Sequence, residues 1–423
     1  VKRATSDVLA LAGMGLLIRL GQMRSGVWSS GDSPEYLTLA KNIVLHHSFS
    51  LGTEAGALLP TARRPPLYPA LIAAFWWGES PPIAAIILLQ ILLGAATVGL
   101  VYLMAHDKFN RPVALIAGAI MALAPLSSHY TAAIMTETLF TFLITCGFFL
   151  WGREKPTWAG IFFGLGALTR PTMLPFLVVL PLLSLLPAWR ARWRVHLLIL
   201  CAALAVSSIW IVRNAIVFGE PIPIAASGWG TNLLVGTIET KVVGDDVWTA
   251  VINDPVLRVD VSGVSETEAD RILLRMALRR IADDPLHWLS VRARQYPRLF
   301  IDSGDYWLHP STLTFQEALR ESRFIVVFRK IVFVFGHMLF WSVAFYGVYT
   351  QRKRFVELSH LTLFPIFLLL AQLPMWVETR YSLPIIPLVT IMASAGVVHL
   401  IENVRVIERT RAGSAKVSSP SAF

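Results

Sequence analysis

Two cysteines in 423 residues are too few for a disulfide framework or a thiolate metal cluster. Cys146 and Cys201 both fall inside apolar runs, so they read as small core residues that report nothing about redox compartment. A phosphate-cradling P-loop, a dinucleotide fingerprint, a nucleophile elbow, a CxxC pair and an HExxH helix are all missing, as is any internal repeat. These absences take nucleotide-driven transport and the common soluble chemistries out of the front rank. Charge is scarce too: only 15% of residues are Asp, Glu, Lys or Arg, against 55% hydrophobic. With a mean hydropathy of +0.59 the chain has more apolar surface than one soluble core of this size would bury, which makes the bilayer its solvent.

Ten apolar runs are long enough to be read as spans: 8–23, 83–104, 113–126, 134–150, 158–168, 173–186, 195–212, 331–349, 358–373 and 383–401. The first follows a basic patch at Lys2 and Arg3 and runs into a polar loop without a small-residue cleavage site, so it is kept as a span. The formal charge of +10 is not a nucleic-acid footprint, because the charges sit between the spans. Lys108 and Arg111, Arg153 and Lys155, Arg190 to Arg194, Arg352 to Arg354 and the Arg405 to Arg411 tail all fall on one side with Lys2 and Arg3. By the positive-inside rule that side is cytoplasmic, with both termini on it, and the membrane is a cell inner membrane. Trp28, Trp151, Trp158, Trp189 and Trp193 at span ends fit an interfacial belt.

The fold class predicted is all-α and polytopic, with about ten transmembrane helices, juxtamembrane helices on the outer face and a small extracytoplasmic helical segment. The expected units are an N-terminal bundle (1–213) including the outer loop 24–82, an extracytoplasmic segment (214–330), C-terminal transmembrane helices (331–401) and a cytoplasmic tail (402–423). Outer loops of that length are usually functional or separately structured. In the first, Gly31-Asp32-Ser33-Pro34-Glu35-Tyr36 predicts a helix capped by Ser33, with Leu37, Ala40, Ile43 and Val44 on one face along the membrane surface. In the second, Ser265 and Glu268 predict a capping box before a helix over 269–281, with another helix after Pro285.

Candidate chemistry gathers on the outer side. Asp32 stands at a helix N-terminus, where free N–H groups and the helix dipole favour a carboxylate. It reads either as a capping acid or as a general base for an acceptor hydroxyl. Glu137 opens the fourth span; an acid there costs up to roughly 3 kcal/mol at the centre of a helix and is either functional or partner to an arginine. Arg63, Arg64, Arg170, Arg213 and Arg380 all lie outside, against the positive-inside bias, so something anionic should meet them. Guanidinium groups grip phosphate with paired, charge-assisted hydrogen bonds, whereas snorkelling to lipid headgroups accounts for one of them more readily than for five. His46, His47 and His129 have no metal-ligand spacing.

Along nearly its whole length the chain resembles the bacterial C-type (GT-C) glycosyltransferases related to protein O-mannosyltransferases and to the aminoarabinose transferases of lipid A. The resemblance rests on GDSPEYLTLAKNI, RRPPLYPALI, GLGALTRPT, WIVRNAIVFGEPIPI followed by GTNLLVG, RMALRRIADDPLHWLSVRARQYPRLF and ETRYSLPIIPL, in the family's order. It implies a donor sugar carried on a polyprenyl phosphate and transferred on the outer side to an acceptor glycan, lipid or protein. Asp32 matches the family's catalytic acid in the first outer loop, and Glu137 the second acid of some relatives. The five arginines are then the donor-phosphate grip, with a divalent cation as a further helper whose identity the sequence does not name. Glu35, Tyr36, Tyr68, His129 and Tyr381 become substrate-binding residues. Ser33 stands where protein O-mannosyltransferases carry a Glu after the Asp, which puts a protein acceptor in doubt. A transporter or flippase of the same lipid is the rival reading; it predicts charge near the bilayer midplane and repeated or broken helices.

Overall fold

The computed structural model describes residues 2–23, 26–27, 31–54, 57–226, 228–239, 259–261, 263–304 and 313–417; Trp28, much of the charged stretch in the second outer segment and the last residues of the tail lie outside them. Each of the ten apolar runs falls mainly in one α-helix: α1 (Lys2–Gln22), α4 (Ile83–Lys108), α5 (Arg111–Leu123), α7 (Glu137–Gly152), α8 (Pro156–Ala167), α9 (Met173–Leu183), α10 (Trp193–Phe218), α15 (Phe324–Thr350), α16 (Ser359–Gln372) and α17 (Ile386–Val417). Five helical stretches, Arg3–Gln22, Ile83–Lys108, Pro187–Phe218, Phe324–Thr350 and Thr379–Val406, are long and apolar enough to cross a membrane. The protein is a multi-pass membrane protein of almost wholly helical architecture. The last helix runs past the expected span to Val417, well into the tail.

Close helix approach is built on small residues, as bilayer packing requires. Gly160 and Gly164 of α8 lie directly against the backbone of α10 at Ile199 and Ala203, and Gly347 of α15 against that of α17 at Met392. Around these seams a continuous core forms, with Phe148, Phe163, Phe176 and Phe364 meeting at ring centroid distances of 4.7 to 6.1 Å.

The basic turns share one end of the bundle. Arg354, after α15, donates to the Lys108 carbonyl after α4 at 3.1 Å, and Arg153, after α7, pairs with Asp107 at 2.7 Å. At the opposite helix ends lie α2 (Ser33–His46), α3 (Leu67–Ala74) and α6 (Pro125–Tyr130), followed later in the chain by α11 (Trp229–Val235), α12 (Glu266–Asp283), α13 (Pro285–Gln295) and α14 (Phe315–Arg320). Between α2 and α3 the sequence forms an antiparallel hairpin, β1 (Ser50–Glu54) and β2 (Ala57–Pro60), that the helical reading did not anticipate. Asn42 anchors it by donating to the Ser50 carbonyl at 2.8 Å.

Two helix starts differ in detail from expectation. Ser33 is the first residue of α2 and not its cap; Asp32 takes the cap position, yet its side chain makes no capping bond. The buried face of α2 includes Tyr36, Leu39 and Ala40, one step round from the face predicted, because α2 packs on α3 and the bundle. Ser265 caps α12 as expected, accepting from the Glu268 N–H at 3.3 Å, but the Glu268 carboxylate turns to Arg275 at 2.7 Å instead of closing the box.

Candidate active site

The segment after β2 carries Arg63 and Arg64 into the rigid Pro65-Pro66 step that starts α3, and this sets both guanidiniums above the first turn of α2. Arg64 is bound on two sides. Its Nη2 donates to Asp32 Oδ1 at 2.5 Å, its Nε pairs with the Glu35 carboxylate, and its plane lies 5.5 Å from the Tyr36 ring centroid. Arg63 adds a looser, half-exposed pair to Glu35 at 3.2 Å. Glu35, expected to touch substrate, is therefore held by two arginines.

Beneath this pair Tyr36 meets Tyr68 edge to face at 5.2 Å. Tyr68 donates to Gln90 Oε1 at 2.7 Å, and the Gln90 amide donates in turn to the carbonyls of Thr131 and Ala133 at 3.0 and 2.7 Å. One polar side chain inside α4 thus ties the first outer loop to the turn before α7, and its polarity within an apolar run was the signal that could have found it.

On that turn stands Glu137, 1% exposed, with Oε1 3.3 Å from Arg170 Nη2. Neither carboxylate oxygen has a hydrogen-bond partner. Arg170 follows α8 as its helix ends, so the pair closes α7 against the α8–α9 turn. Arg380 enters from the 3₁₀ segment Thr379–Ile385 that precedes α17; it pairs with Glu378 and lies 5.6 Å from the Tyr381 ring.

These parts, remote in sequence, form one electrostatic cluster. Burial pushes the Asp32 carboxyl up, but the charges of Arg64, Arg380 and Arg170 together outweigh it and hold the group below its ordinary value. Burial raises the Tyr36 phenol to about 12, with Arg64 opposing and Asp32 reinforcing the shift. The charges of Arg170 and Asp32 also reach Tyr381. Tyr130 and Glu378, which the sequence reading missed, complete the ring, although Glu378 lies inside the quoted ETRYSLP motif. His129 sits edge-on to Tyr130 at 5.6 Å, and burial pushes its imidazole down to about 4, so it is neutral at physiological pH.

Arg213 stands apart. Its Nη1 donates to the Thr61 carbonyl at 3.1 Å and to Asn214 at 3.0 Å, and its guanidinium is enclosed by the rings of Phe49, Trp210 and Phe218. It clasps the first outer loop to α10 and does not face Asp32. Glu266 does similar service from α12, accepting from Thr61 Oγ1 at 2.5 Å and the Ala62 N–H at 2.8 Å.

Among the described residues no group of three His, Cys, Asp or Glu side chains is placed to hold a metal. Asp32, Glu35 and Glu137 each face a guanidinium instead.

At one end of this helical bundle an acid and three arginines gather, in a chain whose motifs resemble those of the C-type glycosyltransferases. Comparison with known proteins bears out that resemblance. Residues 63–212 match the family model described as dolichyl-phosphate-mannose-protein mannosyltransferase, a stretch that holds Arg63, Arg64, Glu137 and Arg170 but begins after Asp32. No curated relative matches in sequence. The fold is shared with the oligosaccharyltransferase of Archaeoglobus fulgidus, solved tethered to an acceptor peptide containing the NVT sequon: TM-score 0.55, 13% identity, 96% of this chain and 50% of that one. The same enzyme in complex with Zn and sulfate gives 0.53 at 13% identity, covering 95% of this chain and 50% of that one. ArnT from Cupriavidus metallidurans bound to undecaprenyl phosphate gives 0.43 at 15% identity, covering 93% and 78%. The chain thus spans about half the length of the archaeal enzyme.

Proposed function

We propose that this protein is a glycosyltransferase that takes a sugar from a polyprenyl-phosphate donor and places it on an acceptor hydroxyl at the extracytoplasmic face of a cell inner membrane. A polyprenyl tail gains roughly 0.8 kcal/mol per buried CH₂, so the donor cannot leave the bilayer and the chemistry must come to the interface. The observation that carries the reading is Arg64 bound to the Asp32 carboxylate, with the charges of Arg170 and Arg380 near enough to lower its proton affinity.

In the reaction, the acceptor oxygen attacks the anomeric carbon as its proton passes to Asp32. The bond between that carbon and the phosphate oxygen breaks on the opposite face, which inverts the centre and leaves polyprenyl phosphate. The guanidiniums meet the charge that develops on this leaving group. Without substrate, Arg64 sits on Asp32 and makes it a weak base. A donor phosphate that draws Arg64 toward itself raises the basicity of Asp32 at the moment a base is needed. Glu137, through its pair with Arg170, holds the second guanidinium in place.

The test is incubation of the purified protein in nanodiscs with a radiolabelled polyprenyl-phosphate monosaccharide and an acceptor extract. A transferase releases free polyprenyl phosphate and labels the acceptor. A donor that moves between leaflets uncleaved contradicts the proposal.

A further inference from the structure

One charge in the bundle is not used by this chemistry. Arg19 belongs to the first apolar helix and is completely buried. Its Nη1 donates back to the Gly15 carbonyl at 3.1 Å and its Nη2 donates to Ser127 Oγ at 3.3 Å, while Nε has no partner. Among the described residues no carboxylate lies within ion-pair distance of it. The side chain fits only because α4 offers a glycine: a Cβ on Gly94 would overlap the Arg19 side chain.

Gly94 and Ser127 also line a half-open recess with a cavity volume of about 10 Å³, room for about one water. Its remaining polar lining is the hydroxyl-bearing residues Thr97, Tyr130, Thr138 and Thr141, together with Glu137, whose two oxygens have no hydrogen-bond partner. A cation without a counter-ion therefore adjoins one wall, and Glu137, ion-paired with Arg170 but without a hydrogen bond, forms another. A buried charge left in this condition costs several kcal/mol, and polar recesses with room for it hold water that makes the missing bonds.

We infer that the recess is hydrated, and that its water links Arg19 to Glu137 and makes Arg19 a positioning residue. The water accepts from the guanidinium side and donates to the Glu137 oxygens. That fixes the carboxylate, and through it Arg170. The effect on turnover rests on the function proposed above, whereas the hydration does not.

Radiolytic hydroxyl labelling of the full chain in nanodiscs separates the two, because bound water generates radicals beside side chains that bulk solvent cannot reach. Leu383 lines the recess and is 3% exposed. Its oxidation in the wild type, lost at least fivefold in Arg19→Leu and retained in Arg19→Lys, is the expected result. Turnover should fall about tenfold in Arg19→Leu through kcat, with KM for the acceptor unchanged. Ser127→Ala/Thr141→Val, which keeps the charge, should show the same labelling loss if Arg19→Leu does not fold. An unlabelled Leu383 in the wild type overturns the hydrated recess. Labelling that is lost while kcat stands overturns the positioning role. Absence of transfer by every protein, wild type included, would count against the proposed function and leave the labelling result readable.

Discussion

Asp32 illustrates how one side chain's role is decided by its neighbours. An acid at the start of a helix ordinarily caps it, and that reading predicts a hydrogen bond to the backbone of the first turn. Here the carboxylate makes no such bond and reaches Arg64 instead. Because its proton affinity is lowered by guanidinium charge against the opposing push of burial, it stays ionised well into the acid range. Removing one of those charges must move it upward. We expect Arg64→Gln to shift the acid limb of the kcat/KM profile to higher pH, since burial is then less opposed, and to lower kcat about 10- to 100-fold, the range for losing one or two charge-assisted bonds. A pH-rate series on the two proteins checks this; an unmoved limb would mean that Asp32 is not the titrating base.

At the scale of elements, the site depends on how the first outer loop is held. Thr61 and Ala62 are fixed by Glu266 of α12, Thr61 also by Arg213 of α10, and the loop then delivers Arg63 and Arg64 to α2. Neither clasp could be read from the sequence, because each joins residues roughly 150 to 200 positions apart and neither partner sits in a recognisable pattern. Glu266→Ala should loosen the loop and reduce kcat several-fold while leaving the acid limb of the pH profile where it was; a profile that moves as well would place Glu266 inside the electrostatic cluster. The bundle seam makes a different demand. A side chain larger than hydrogen at Gly164 meets the α10 backbone at Ala203. Gly164→Leu should destabilise the protein by roughly 1–3 kcal/mol or more through overpacking, visible as a lower melting temperature in detergent, whereas Gly13→Ala, which faces open space, should not.

Taken whole, the molecule was legible where the bilayer imposes the pattern. Apolar length dictates spans, so each run falls mainly in one helix, and the basic turns gathered at one end as short-loop charge predicts. The helices after Ser265 and Pro285 were legible for a local reason, their caps. The hairpin at Ser50–Pro60 was not, because a short alternation inside a long polar loop gives little signal. The five arginines looked equivalent in sequence; packing alone binds Arg64 to Asp32, pairs Arg170 with Glu137 and Arg380 with Glu378 within reach of its charge, leaves Arg63 at the rim and turns Arg213 into a clasp. Glu378 and Tyr130 join the cluster for the same reason, since their neighbours come from helix ends that only the folded bundle brings together.

We propose that a carboxylate at one end of this bundle, Asp32, deprotonates the acceptor while the neighbouring guanidiniums hold the donor's phosphate. Single-turnover transfer by Asp32→Asn, with donor binding measured in the same nanodisc preparation, tests it most directly. The expected rate is at least ~10²-fold below wild type, in the range for loss of a general base, with donor affinity changed no more than a few-fold. Transfer at the wild-type rate by that variant would contradict it.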